Sequence, residues 1–366
     1  MFFKLGKTVV RITGEHPVVD LIIDELNKNR VERPLSPGPS IEFFLSEKRL
    51  PDMSTEVRVV GPVFALPDRA WIHFDNVGYR VFILGWEEGS IKVQVQILPR
   101  RKQRFIPLWA YRWRNWTFMS PLEQQAYKFI NGILEDILLL FGNNTGLLHA
   151  SAIEQNGNAV LFPSTGGVGK TTLSLLLVSQ YHFNYISDDI SLVSDDGFVF
   201  FYPRKIMMYP YSFQGYENLE KWFLSKRSFG DRLHWFWRKQ FYGLKGGRRR
   251  VKARELYNNK VSQQGKIKDV YFLVRYPADF FKIEKVQPRT VASISSQIIL
   301  AEYSYYINYL RYWEATGCAP LTVEFVRKRL YKIYEAAFRR SNNYILYIPA
   351  DAPPQILVNY VATHFS

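Results

Sequence analysis

The chain has 366 residues, is 47% hydrophobic with 16% aromatics, and carries a formal net charge of +15. That much apolar material excludes a disordered chain, and the length suits two domains, or one large domain with an attached module. The single cysteine, Cys318, excludes a disulfide framework or a multi-cysteine metal site within the chain and fits a reducing cytoplasm, with the thiol read as a packed small apolar group.

The opening residues MFFKLGKTVVRITGE lack the long apolar run of a signal peptide. Residues 1–118 read as β-rich. VRVVGPVFAL, WIHFDNV, YRVFILGW and SIKVQVQILP are short β-branched and aromatic runs with turn signals between them, which predicts an antiparallel sheet. Arg33–Ser40, RPLSPGPS, predicts a loop. Ser120 opens a helix, with Pro121 at its first position and Glu123 completing a capping box. Apolar residues recur at helical spacing until Gly142-Asn143-Asn144. Within that helix, Phe129–Phe141 is too short to span a membrane and is broken by Glu135 and Asp136, so no transmembrane segment is expected. LLHASAIEQNGNAVLFPS predicts a hairpin turning at Asn156-Gly157. A glycine-rich loop, a helix over Thr171–Tyr181 and a strand over Asn184–Ser187 complete a phosphate-binding strand–loop–helix–strand unit. Later strands are expected at Val199–Tyr202, Asp269–Val274 and Tyr344–Ile348. Helices are expected at Arg289–Tyr309 and Thr322–Arg340. Asp195-Asp196-Gly197 reads as an ordinary hairpin turn.

The strongest chemical signal is the run Ser164-Thr165-Gly166-Gly167-Val168-Gly169-Lys170-Thr171-Thr172. It fits the Walker A pattern G-x-x-x-x-G-K-[ST], except that Ser164 stands at the first glycine. Glycines let backbone N–H groups converge on a phosphate, and the helix that follows adds its positive end. Lys170 would neutralise the β- and γ-phosphates of ATP, and Thr171 would offer its hydroxyl to Mg²⁺. Asp188-Asp189 follows the next strand, at the carboxyl end where open α/β sheets place ligands. One carboxylate can hold the metal while the other accepts a proton from an attacking hydroxyl. His149 ends an apolar strand and, taken alone, reads as structural.

In this order and spacing, His149, STGGVGKTT and Asp188-Asp189 resemble the HPr kinase/phosphorylase family and its relatives with the phosphoenolpyruvate-carboxykinase-like nucleotide-binding fold. The resemblance covers residues 147–206 well and 207–366 loosely. It implies an α/β, P-loop kinase domain over 119–366 behind a β-rich accessory domain over 1–118. It also implies catalytic roles for Asp188 (the base), His149 and Lys170, metal contacts from Thr171, Asp188 and Asp189, and nucleotide contacts from Ser164 to Thr172. The stretch Tyr202-Pro203-Arg204 is similar to one in such proteins and suggests Arg204 as a phosphate contact, against the plainer reading of an exposed strand-end arginine. No counterpart of the family's second signature, with its metal-binding glutamate, is visible, so phosphate removal is not expected. The acceptor implied is a serine or other hydroxyl on a peptide or protein, such as a ribosomally made precursor peptide. Homo-oligomers are common in the family.

Basic residues cluster in two places. Lys221–Lys268 holds 15 Lys/Arg against Asp231 and Glu255, and Arg100–Arg114 holds six with no acid. Leu224–Arg254 reads either as a basic flap that holds the acceptor, with Arg248, Arg249 and Arg250 its best candidates, or as a solvated loop over packed aromatics. The tryptophans of Arg100–Trp116 line either a peptide groove or the core. Two other functions compete with the kinase: a carboxykinase-like enzyme, which needs a second metal site, and a non-catalytic nucleotide-dependent switch on nucleic acid or membrane. No nucleic-acid module is recognised.

Overall fold

The computed structural model describes residues 1–32, 40–53, 55–74, 78–99, 106–142, 144–213 and 217–364. Residues 33–39 of the expected loop, the basic residues 100–105 and Asn143 lie outside them. Among the described residues the chain first forms a nine-stranded sheet. Its strands are β1 (Phe2–Leu5), β2 (Thr8–Gly14), β3 (Arg30–Val31), β4 (Ser40–Ser46), β5 (Arg58–Val60), β6 (Val63–Leu66), β7 (Arg69–Phe74), β8 (Tyr79–Leu84) and β9 (Ile91–Ile97). The order is β3-β1-β2-β4-β9-β8-β7-β6-β5.

This sheet is mixed, which corrects the antiparallel expectation. β5 to β9 form an antiparallel meander, but β2, β4 and β9 run parallel. The cause is helix α1 (Val18–Leu26), between β2 and β4, which carries the chain back across the sheet before it re-enters. Its buried face is Val18, Val19, Ile22 and Leu26, a helical repeat with only two turns in which to show itself.

Helices α2 (Leu108–Arg114) and α3 (Pro121–Lys128) follow, then a π-helical stretch (Phe129–Leu134) and α4 (Glu135–Phe141). The expected capping box is present: Ser120 Oγ accepts from Glu123 N–H, and Glu123 accepts from Ser120 N–H at 2.6 Å. Ile130 O, within this π-helical stretch, accepts from Tyr202 Oη at 2.7 Å. No helix among the described residues is long and apolar enough to cross a membrane.

The second sheet takes β10 (Thr145–Leu148), β11 (Ala150–Gln155), β12 (Asn158–Pro163), β13 (Asn184–Ser187), β14 (Ser191–Ser194) and β15 (Phe198–Phe200). Strands β16 (Ile206–Met208) and β17 (Arg249–Val251) pair apart from it. β18 (Gln264–Tyr276), β19 (Lys282–Lys285) and β20 (Asn342–Pro349) return to it. β12, β18 and β20 are parallel, as a βαβ layout requires. The hairpin β11–β12 turns at Asn156 and Gly157, both at positive φ (53° and 82°).

Helices lie on both faces. Along β12, Val160 and Phe162 face α5 (Lys170–Gln180) and α12 (Pro354–Ala362), whereas Ala159 and Leu161 face the layer containing α9 (Pro288–Glu302) and α11 (Val323–Phe338). Between β16 and β18 the chain makes α6 (Glu217–Ser225), α7 (Phe229–Tyr242) and α8 (Ala253–Tyr257); α10 (Ser304–Ala315) follows α9. The helix expected over Arg289–Tyr309 is therefore two, parted at Tyr303. The core on the α9/α11 side runs without a break into the first sheet, where Phe43 meets Phe129 edge-on at 5.3 Å. At Gly6 (φ 63°) an added Cβ would sit 2.6 Å from Thr145, so the two sheets approach too closely there for a side chain.

Candidate active site

The glycine-rich run is the connection from β12 to α5. Ser164 continues the β11–β12 ladder, its N–H reaching His149 O at 3.3 Å. Gly167 and Gly169 have φ of 79° and 111°, conformations open to glycine at little cost, and Gly169 is the residue before the helix. Arg275 braces the loop from β18 by donating to Val168 O at 3.3 Å and to Pro349 O at 3.0 Å. The serine in the first glycine's place is fully buried and serves the lysine. Lys170 Nζ donates to Ser164 Oγ at 3.0 Å and to Thr165 O at 2.9 Å. Burial lowers the Lys170 pKa, and Asp189, Asp188 and Glu302 work against that.

Opposite the loop, β13 ends at Ser187 and delivers the aspartates. Ile190 N–H returns to Asp188 O at 2.8 Å, and Asp189 at the centre of this three-residue turn has φ 68°. Such a conformation is costly for a residue with a Cβ. It sends the two carboxylates to different neighbours. Asp188 is buried and accepts from Thr171 Oγ1 at 2.8 Å. Asp189 is half-exposed, 3.0 Å from His149 Nε2 and 3.0 Å from Arg204 Nη2.

The environments split their acidity. Burial, and then the charge of Asp189, pushes Asp188 up to about 6. Burial also opposes ionisation of Asp189, but Arg204 and His149 outweigh it and hold that carboxyl well below the usual range.

The sites expected from the sequence converge. His149, Gly166, Gly167, Gly169, Lys170, Thr171, Thr172, Asp188, Asp189 and Arg204 line one cleft of about 290 Å³, joined by Tyr127, Lys205, Tyr209 and Tyr211. Arg204 is not an exposed strand-end arginine. It bridges Asp189 to buried Glu135 (3.5 Å) and to Tyr303 Oη (3.2 Å). Glu135, fully buried and hydrogen-bonded by Tyr303, is pushed up to about 7 by burial, against Arg204.

Three participants were not anticipated. Glu302, at the end of α9, accepts from Gly166 N–H at 3.1 Å and lies 3.6 Å from His149 Nδ1. A carboxylate thus takes a loop amide of the kind that would hold phosphate. Glu135 and Tyr303 form the layer beneath Arg204. Neither Glu302 nor Tyr303 has a local signal, because α9 comes more than 110 residues after the loop.

The donor set suits Mg²⁺. Thr171 and Asp188 offer oxygens only, and Asp188 Oδ1 is buried without a hydrogen-bond partner. Mg²⁺ commonly takes one or two protein oxygens and fills its shell with phosphate and water. No cluster of three or more His, Cys, Asp or Glu among the described residues would complete a metal shell by itself.

The basic segment is corrected. Leu224–Arg254 is not a flap but contains α7, β17 and the start of α8. Arg249 is buried against Asp231. It also donates to Asp231 O at 3.1 Å and to His234 Nδ1 at 2.9 Å, so it is a core ion pair rather than a substrate contact. Arg248 lies over Trp116, and Arg250 lies over Tyr127 at 3.3 Å. The described part of Arg100–Trp116 packs on α7, with Trp113 edge-on to His234 at 5.2 Å. Cys318 is buried, as read.

No protein-family model matches the chain, and no curated protein matches it. Among solved structures, one that matches is an Hpr(Ser) kinase/phosphatase from Coxiella burnetii. It is 12% identical over 60% of this chain and 95% of that chain, with a TM-score of 0.25. The functional reading therefore stands on the geometry of the cleft.

Proposed function

We propose that the chain is an ATP-dependent, Mg²⁺-requiring phosphotransferase acting on a hydroxyl, a serine by preference, of a peptide or protein acceptor. The observation that carries this reading is the 2.8 Å hydrogen bond from Thr171, on the first turn of the loop helix, to buried Asp188. It sets a carboxylate that titrates near neutrality beside a phosphate-type loop. Loop amides and Lys170 hold the triphosphate, and Mg²⁺, when bound, neutralises charge on its oxygens. Asp188 takes the acceptor proton. Asp189 stays ionised and fixes His149 and Arg204. Arg204, which lines the same cleft, contacts a phosphate oxygen of the bound nucleotide. Residues 1–118 form the accessory domain that presents the acceptor, and residues 119–366 the kinase domain. The setting is cytoplasmic, where ATP is supplied.

The switch on nucleic acid or membrane is the weaker reading, because the fold pairs five of the 15 cations of Lys221–Lys268 with carboxylates, Arg249 and Arg254 among them. Arg227 meets Glu255, Lys239 meets Glu220, and Lys252 meets Asp24 and Glu25.

The test is transfer of the γ-phosphoryl of radiolabelled Mg-ATP to serine peptides. Lys170→Ala should abolish transfer and weaken nucleotide binding, whereas Asp188→Asn should abolish transfer with nucleotide still bound. Wild-type transfer by Asp188→Asn would remove the assignment.

A further inference from the structure

Helix α7 buries its polar side and exposes its apolar one. Inward it carries Asp231, His234, Trp235 and Arg238. The three polar ones are all partnered: Asp231 by Arg249, His234 by Trp113 O at 2.8 Å, and Arg238 by Arg114 O at 3.3 Å. Outward, Phe229, Leu233, Phe236, Trp237 and Phe241 recur at spacings of three and four residues, which puts them on one face. Phe229, Phe236 and Phe241 are 74%, 56% and 68% exposed. The face continues onto α2. Trp237 meets Phe241 at 5.3 Å and Trp113 at 6.1 Å, and Trp109, one turn before Trp113, is 73% exposed. An aromatic side chain carries about 150–250 Å², so these four exposed rings leave on the order of 500 Å² bare, at the upper end of what a monomer shows in one patch.

Hydrogen bonding and charge select the occupant. Among the α7 rings the exposed polar side chains are Arg232 and Gln240. A protein partner calls for about one hydrogen bond per 100–200 Å², whereas a bilayer calls for none. Arg114 on α2, Lys226 just before α7, Arg232 within it and Lys245 just after it are exposed, and none pairs with a described carboxylate. Glu220 and Asp231 are spent inward, Glu220 on Trp235 Nε1 and Lys239 (both 2.9 Å) and Asp231 on Arg249. A second copy docked on this face would set like charges against each other. We propose that α7, with Trp109 of α2, docks the protein on an anionic lipid surface, its rings at the headgroup–acyl boundary and its cations on the phosphates. None of these side chains lines the nucleotide cleft, so docking is independent of the phosphotransfer reading. The membrane is then a place of attachment and not the readout of a nucleotide switch.

The experiment mixes the full chain, without nucleotide or acceptor, with vesicles of equal parts phosphatidylglycerol and phosphatidylcholine, or of phosphatidylcholine alone. The fraction that sediments with lipid is read at physiological salt. The mixed vesicles should bind the protein at least about tenfold more tightly than the neutral ones, since each cation at the surface contributes roughly fivefold. Phe236→Ser and Phe241→Ser should each weaken binding to the mixed vesicles about tenfold, and Arg232→Gln about fivefold. All three side chains already face solvent, so each variant should keep the wild-type melting temperature. No binding to the mixed vesicles, equal binding to the neutral ones, or binding that both serine variants retain in full would overturn the docking face. So would a dimer in sedimentation equilibrium that Phe236→Ser splits into monomers, since a second copy would then cover the rings.

Discussion

Asp188→Asn should trade activity for stability, and the trade should follow pH. A buried carboxyl whose pKa rises on folding, from an ordinary 3.8 to about 6, is one the folded state prefers protonated. Stability is then lost as pH rises from about 4 to about 6 and stays lost above that. At 1.36 kcal/mol per pKa unit the cost at pH 7.5 is at most about 3 kcal/mol. Asparagine keeps an oxygen for the Thr171 hydroxyl and carries no charge. The variant should therefore melt higher than wild type at pH 7.5, by roughly 6 °C at about 2 °C per kcal/mol. The advantage should vanish near pH 4. Wild-type kcat/KM for phosphotransfer should climb about tenfold per pH unit up to about 6 and then level, as the free base becomes available. Thermal melts across pH and initial rates on one peptide check both halves. An advantage over wild type no larger at pH 7.5 than at pH 4, or a rate profile flat through 6, would refute the account of Asp188 as a buried, proton-accepting carboxylate.

Glu302→Gln should tighten nucleotide binding. It removes a negative charge seated on the Gly166 amide, and because Glu302 is partly exposed the gain is about threefold to tenfold, read with a fluorescent ATP analogue. Weaker binding would make Glu302 a ligand rather than a competitor. Arg249→Met strands the Asp231 carboxylate in the core and should cost about 3 kcal/mol or more in chemical denaturation. Unchanged stability with lost peptide binding would restore Arg249 to the acceptor site. Gly157→Ala meets no neighbouring atom, so only its φ of 82° is charged, about 1 kcal/mol on the same assay.

The loop, its helix and the aspartate pair were legible because each is local. Torsional freedom at Gly167 and Gly169, the lysine and the hydroxyl all lie within one turn, and the β13 strand that follows places Asp188 by topology alone. Helix α3 was equally plain, since Ser120, Pro121 and Glu123 write a cap in consecutive residues. What failed was non-local. A run of cations shows its charge but not its partners: Asp231, Glu220 and Asp24 meet Arg249, Lys239, Lys252 and Arg254 from other elements. Glu135 and Asp136 read as interruptions of an apolar helix, yet both are buried at the start of α4, where Glu135 meets Arg204. The parallel pairing of β2 with β4 depended on a nine-residue helix whose apolar stripe spans little more than two turns.

Adjacent aspartates beside the glycine-rich loop pose an electrostatic problem, because two neighbouring carboxylates resist ionising together. The fold resolves it with geometry rather than distance. The left-handed turn at Asp189 lets consecutive side chains face opposite surroundings: Thr171 and a dry wall for Asp188, Arg204 and His149 for Asp189. One carboxylate is therefore permanently charged and the other holds or releases a proton near neutrality, which is the division that acid–base work on an alcohol requires. Arg204 can hold Asp189 in this state because its own charge is anchored from below by Glu135 and Tyr303. The break between α9 and α10 at Tyr303 thus bears on the chemistry. It brings the phenol under Arg204 and leaves Glu302, one residue earlier, facing the loop.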